Sequence, residues 1–137
     1  MFNPSHFADL AVTLPNLDDQ DRECCNRSAY GRAYYALFLA VRAAIRRAQN
    51  KDVDEEIGHG YLASTLTSSP NDKIASVGVL LAKLYDARMN ADYKLDPKNR
   101  WRIDLAKGLE AERLAKAARD QIQALSAVDF TSVLADF

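Results

Sequence analysis

The stretch Tyr30-Gly31-Arg32-Ala33-Tyr34-Tyr35-Ala36-Leu37-Phe38-Leu39-Ala40-Val41 places apolar side chains at Tyr30, Tyr34, Leu37 and Val41, and the same spacing continues to Ile45 and Ala48. Steps of three and four trace one face of an α-helix, whereas a half-buried strand would alternate by two. Tyr35, Phe38 and Leu39 fall off that stripe, so the middle of the helix is apolar nearly all round. Such a helix is central to a bundle or lies between subunits. The expectation is an all-α chain built around one long helix that ends near Asn50.

Upstream, residues 4–14 read as a short first helix closed by Pro15, which cannot continue a helix and restricts the residue before it. Asp18, Asp19, Asp21 and Glu23 then place negative charge where the N-terminus of the long helix prefers it. Downstream, residues 51–60 form a polar connection whose acids, Asp52, Asp54, Glu55 and Glu56, read as a solvated helix start, since their spacing is not that of a calcium-binding loop. Residues 61–67 read as a third helix, followed by the turn-and-cap cluster Ser68-Ser69-Pro70-Asn71. A fourth helix over about residues 73–95 carries Ile74, Val77, Leu81 and Leu84 on one face and is broken by Asp96-Pro97-Lys98-Asn99. A last helix over about residues 103–125 runs through Ala111, Leu114, Ala118 and Ile122, and a short piece ending at Phe137 packs back. With five Gly and four Pro there is little turn material, which favours long helices over many short strands. A length of 137 residues suits one core, so residues 1–137 are read as a single up-and-down bundle of about five helices.

Composition narrows the function. Apolar residues at 48% and charged residues at 27% are globular values. A net charge of −1 argues against a protein that coats DNA through many Lys and Arg contacts, so a nucleic-acid site must be local. Met1-Phe2-Asn3-Pro4-Ser5 lacks the basic and apolar stretches of a secretory signal, and the longest apolar run, 33–41, is about half of a bilayer span. The expected location is the cytoplasm, without membrane contact. Adjacent Cys24 and Cys25 are read as ordinary helix residues and not as a disulfide framework.

Chemistry concentrates in the fourth helix. Its apolar face continues by threes and fours from Leu84 to Arg88, so an arginine that cannot be neutralised sits in phase with the core. Asp92, four residues on, is its nearest candidate partner, while Tyr93 lies about 140° further round a regular helix. The plain alternative is a buried Arg–Asp pair that fixes packing, or an arginine that reaches out at the bundle end. Lys94, Lys98, Arg100, Trp101 and Arg102 follow, opposed by Asp96; basic charge with an interleaved aromatic can track a phosphate backbone and stack a base. The same residues also complement a helix C-terminus. Arg42, Arg46 and Arg47 are read as a solvated face. His59 has the titration range of a general acid or base, its plainer reading being a surface histidine that opens a helix. His6 and His59 lack zinc-site spacing, Gly58-His59-Gly60 lacks the further glycines of a dinucleotide loop, and no nucleophile elbow occurs. No metal and no cofactor is expected.

Arg32-Ala33-Tyr34-Tyr35-Ala36-Leu37-Phe38, then His59, then Arg88-Met89-Asn90-Ala91-Asp92-Tyr93 together resemble the HEPN superfamily. The likeness is to its bacterial branch, marked by Arg-Ala-Tyr-Tyr-x-x-Phe in one helix and Arg-x-x-Ala-Asp-Tyr in a later one, and it covers about residues 5–125 in the same helix order. The resemblance implies a helical bundle that dimerises with its arginine helices together, a toxin or antiphage defence role, and metal-independent cleavage of RNA. It implies a minimal nucleotidyltransferase antitoxin as partner, catalytic roles for Arg88, Asp92, Tyr93 and His59, and RNA or nucleotide contacts from Arg32, Tyr35 and Asn90 beside Lys94, Lys98, Arg100 and Arg102. Members that cleave RNA carry a histidine four to six residues after the arginine; here four residues intervene and then Tyr93 stands. Three readings follow: Tyr93 substitutes, His59 contributes from elsewhere, or the domain binds a nucleotide or a nucleotidyltransferase without cleaving. Leu95 occupies the position of the tyrosine that receives a nucleotide in silenced toxin members.

Overall fold

The long helix of Tyr30 and Tyr34 is the element on which most of the others pack. The computed structural model describes residues 3–17, 22–93 and 105–137. Its elements are α1 (Ser5–Thr13), a 3-10 turn (Leu14–Asn16), α2 (Arg22–Ala48), α3 (His59–Thr67), α4 (Asp72–Tyr93), α5 (Leu105–Ala124) and a C-terminal 3-10 segment (Ala127–Asp136). There is no strand among the described residues. Helix α2 touches α1, α4, α5 and the C-terminal segment, while α3 packs on α4 and α1 on α5. The chain's own helices therefore occupy the surroundings of α2, which places it at the centre of a bundle. Tyr30, Tyr34, Leu37, Val41 and Ile45 are buried as one stripe, and Phe38 is buried off it. They meet Leu62, Leu66, Ile74, Val77, Leu81, Leu84, Leu114 and Phe130 in a single core. Each large aliphatic or aromatic side chain so buried contributes about 1.5–3 kcal/mol relative to exposure.

Local chemistry sets the helix ends. Asn3 Oδ1 accepts from Ser5 N–H at 3.0 Å where α1 begins, and Pro15 turns its end into the 3-10 turn. Helix α2 closes on Asn50, whose φ of 57° is left-handed. Asn50 N–H donates to Arg47 O at 3.0 Å and Lys51 N–H to Arg46 O at 2.9 Å, which satisfies carbonyls that the helix end leaves open. Asn71 caps α4, its Oδ1 accepting from Lys73 N–H at 3.0 Å. Ser126 and Asp129 form a reciprocal capping box for the C-terminal segment, and Lys73 Nζ reaches Asp129 Oδ2 at 2.9 Å. That segment buries Phe130 and Val133 in the core, so it packs back as expected.

Two expectations are corrected. The acids of 52–56 precede the third helix and do not begin it: the connection stays non-helical up to His59, the first residue of α3. Two of them form ion pairs, Asp54 with Arg42 at 3.3 Å and Glu55 with Lys51 at 3.6 Å, and no group of metal-ligating side chains occurs among the described residues. The arginine face of α2 is not solvated as a whole. Arg47 is exposed, but Arg46 is 4% exposed and donates to Glu55 O at 3.1 Å, Glu56 O at 2.6 Å, Phe137 O at 3.2 Å and Gln49 Oε1 at 2.9 Å. A planar fork of five donors tolerates burial once carbonyls fill it. Helical periodicity cannot reveal this, because most of those acceptors come from another loop and the far end of the chain. Asp18, Asp19, Asp21 and the basic segment Lys94, Lys98, Arg100, Trp101 and Arg102 lie outside the described residues, as does Leu95. No described helix is long and apolar enough to cross a membrane.

Helices α3 and α4 approach closely at Gly78. A Cβ there would lie 2.3 Å from the Thr67 backbone nitrogen and 2.8 Å from the Leu66 carbonyl carbon, and backbone cannot give way as a side-chain tip can. Gly78→Ala is expected to push α3 off α4 and to cost about 1–3 kcal/mol. Thermal and urea melts of the variant against the parent check the loss; an unchanged midpoint would contradict the close approach.

Candidate functional site

Tyr34 is buried at the centre of α2, and a buried phenol needs a partner for its hydroxyl. It finds one in Nδ1 of His59, which α3 presents from its first turn. Burial, opposed in part by the nearby Arg88 charge, raises the Tyr34 hydroxyl well above its usual range. It therefore stays protonated, able to donate to or accept from the imidazole.

Four aromatic rings wall His59. The Phe38 ring lies parallel to the imidazole within 26° at 4.2 Å between centroids. Tyr85 stacks at 6.1 Å, Tyr34 lies at 5.6 Å and Tyr35 stands edge-on at 6.4 Å. Against the same rings sits Arg88, its Cζ 4.9 Å from the Tyr35 centroid and 5.7 Å from that of Tyr34. Arg42, one turn beyond Phe38 on α2, lies over the Phe38 ring at 5.7 Å. Guanidiniums on aromatic faces are held by the ring quadrupole without being neutralised.

The electrostatic consequence falls on His59. Burial lowers its pKa below the usual 6.5, the Arg88 and Arg42 charges lower it further, and Glu56 opposes them. A half-buried imidazole that is neutral at pH 7, flanked by two permanent cations, has the parts of a phosphate site: a proton-transfer group with charge-assisted donors beside it.

The Arg88–Asp92 pair expected from the sequence is present, with Nε 3.2 Å from Oδ2. The contact lacks hydrogen-bond alignment, and the buried Nε has no hydrogen-bond partner. The side chain of Asp92 is 37% exposed against 16% for Arg88, so the pair is reached by solvent and is not a sealed core ion pair. Arg88, Asp92, His59 and Tyr35 are thus brought together. Tyr93, 63% exposed, projects to another side of α4. Asn90 is half-buried, about 200° round the helix from Arg88. Arg32 lies over the Phe7 ring at 5.0 Å, against α1. Tyr34, Phe38, Arg42 and Tyr85 escaped the reading of candidate site residues. Tyr34, Phe38 and Arg42 form a row spaced by four, and Tyr85 and Arg88 are three apart, which is the available signal. It was masked because buried aromatics at that spacing are ordinary core.

Between α3 and α4, continuous with this cluster through His59 and Tyr85, runs a groove of about 370 Å³. No family model, curated protein or solved structure matches the chain.

Because the folded state lowers the His59 pKa, the unfolded chain binds that proton at higher pH. The stability this contributes is therefore fully present above about pH 6.5 and is lost as pH falls through the lowered value. An NMR titration of the His59 ring is expected to give a midpoint below that of exposed histidine, and Arg88→Met is expected to raise it. A midpoint at or above 6.5, or one unmoved by Arg88→Met, would contradict the arrangement.

Proposed function

We propose that this chain is a metal-independent, RNA-cleaving domain of the HEPN type, acting as a toxin or defence ribonuclease. The observation that carries the reading is the meeting of Arg88 and His59, distant in sequence, on the same pair of tyrosine rings. In this reading Arg88 and Arg42 hold the non-bridging oxygens of one phosphate, and charge that develops there in the transition state falls between preorganised cations.

The ribose 2′-oxygen attacks phosphorus and passes its proton to Nε2 of His59. The new O2′–P bond displaces the 5′-oxygen, which takes a proton from water, leaving a cyclic phosphate and a 5′-hydroxyl. For Nε2 to accept, Nδ1 must carry the ring hydrogen and donate it to the Tyr34 oxygen, so Tyr34 acts as a positioning residue that selects the tautomer. His59 then takes the part that the histidine following the arginine plays in cleaving members, and Tyr93 does not. Dimerisation, cytoplasmic action and a nucleotidyltransferase antitoxin belong to the same proposal and rest on the resemblance.

The test is cleavage of end-labelled RNA with chelator present, together with growth on controlled expression. Arg88→Gln and His59→Gln are each expected to lower the cleavage rate by about 10²–10⁴-fold, while Tyr93→Phe leaves it within about twofold of the parent. Arg88→Gln is expected to keep the melting behaviour within about 1 kcal/mol, since its carboxylate partner is solvated. Cleavage that survives His59→Gln but not Tyr93→Phe would reverse the assignment. Nucleotide binding without cleavage by the parent protein would instead establish the non-catalytic, nucleotide-binding form of the domain.

A further inference from the structure

The groove between α3 and α4 shares His59 and Tyr85 with the phosphate cluster and extends away from it. Its size falls in the range of small-ligand sites, about 300–1,000 Å³. Beside the Ser64 hydroxyl, which also lines the groove, the far end offers lone pairs. Thr67 Oγ1 donates its hydrogen to Ala63 O at 2.7 Å and Ser68 Oγ donates to Ser64 O at 3.1 Å. Both hydroxyls have thereby spent their protons on helix carbonyls and keep only lone pairs for a ligand. Asp86, next to Tyr85 on α4, also lines the groove, is exposed and sets a carboxylate at the near end. The near end offers the Tyr85 ring, half-buried and packed edge-on against Tyr34 at 5.6 Å, as a flat apolar wall.

A ligand for such a groove is planar, stacks on an aromatic ring and presents N–H donors together on one edge. Resting on the RNA-cleaving reading, we propose that the groove is a base pocket that takes guanine from the nucleotide flanking the bound phosphate. Guanine carries the imino N1–H and the amino N2–H side by side, which match the two oxygens of one carboxylate as a charge-assisted pair. Adenine and cytosine each set an acceptor next to their amino group, and uracil sets carbonyls on both sides of its single N–H. Any of the three would turn a lone pair toward Asp86, and a carboxylate facing an acceptor disfavours that base. Stacking on Tyr85 adds affinity without choosing among bases.

The experiment is calorimetric titration of the intact chain with 5′-GMP, 5′-IMP and 5′-UMP, run beside mapping of cut sites in a mixed-sequence RNA. GMP is expected to bind at least tenfold more tightly than UMP. IMP, which lacks the N2 amino group, should lose most of that advantage. Asp86→Asn should erase the preference, and Ala82→Trp, on an exposed lining position, should weaken GMP by physically filling the groove. Equal affinities for GMP and UMP, no binding of any of the three at millimolar concentration, or an undiminished preference in Asp86→Asn would each overturn the pocket. The two readings fail separately. Selective GMP binding with uncut RNA leaves the pocket standing and removes the ribonuclease, whereas cutting without base preference and without GMP selectivity removes the pocket alone.

Discussion

The hydrogen bond between the Tyr34 hydroxyl and His59 Nδ1 is the contact on which the site depends. Tyr34 lies in the core of α2 because its ring is needed there, yet a phenolic hydroxyl in apolar surroundings is costly unless it is paired. Pairing it with the first residue of α3 ties a helix that otherwise packs on α4 to the central helix. The same bond holds the imidazole in place, with its ring stacked on Phe38. A structural requirement of the core thus orients the group best suited to proton transfer.

Around that bond the charges are arranged by packing. Arg88 and Arg42 approach the imidazole from α4 and α2, each lying on an aromatic ring. Neither is cancelled by a sealed carboxylate, since Asp92 is well exposed and Asp54 more so. Positive charge is therefore held next to a neutral base, with the Nε groups of Arg42 and Arg88 buried and without a hydrogen-bond partner. The apolar walls lower the local dielectric and strengthen whatever interaction forms there.

The connection between α2 and α3 has to deliver His59 to this place, and Arg46 anchors it. By binding the carbonyls of Glu55 and Glu56 as well as that of Phe137, one guanidinium joins the loop before His59 to the end of the chain. Gln49 adds a bond to Leu134 O at 3.0 Å, and Tyr61 Oη donates to Asp136 O. The C-terminal segment is accordingly part of what positions the start of α3.

Much of the architecture is legible along the chain. Tyr30, Tyr34, Leu37, Val41 and Ile45 announce a buried helix by their spacing, Pro15 and the Ser68–Asn71 cluster announce its neighbours' ends, and Arg88 announces itself as a charge in phase with a core face. Those features are local, governed by a period or a cap within a few residues. What α2 faces, and so whether Tyr35, Phe38 and Leu39 meet another subunit or the chain's own helices, is not local. Likewise, nothing near His59 in sequence indicates that it meets Tyr34 and Arg88, and nothing near Arg46 indicates acceptors from residues 55, 56 and 137. Helix identity is decided by short-range periodicity and capping. The partners of a histidine or an arginine are decided by which helices the bundle brings side by side, and that follows only from burying all the apolar faces at once.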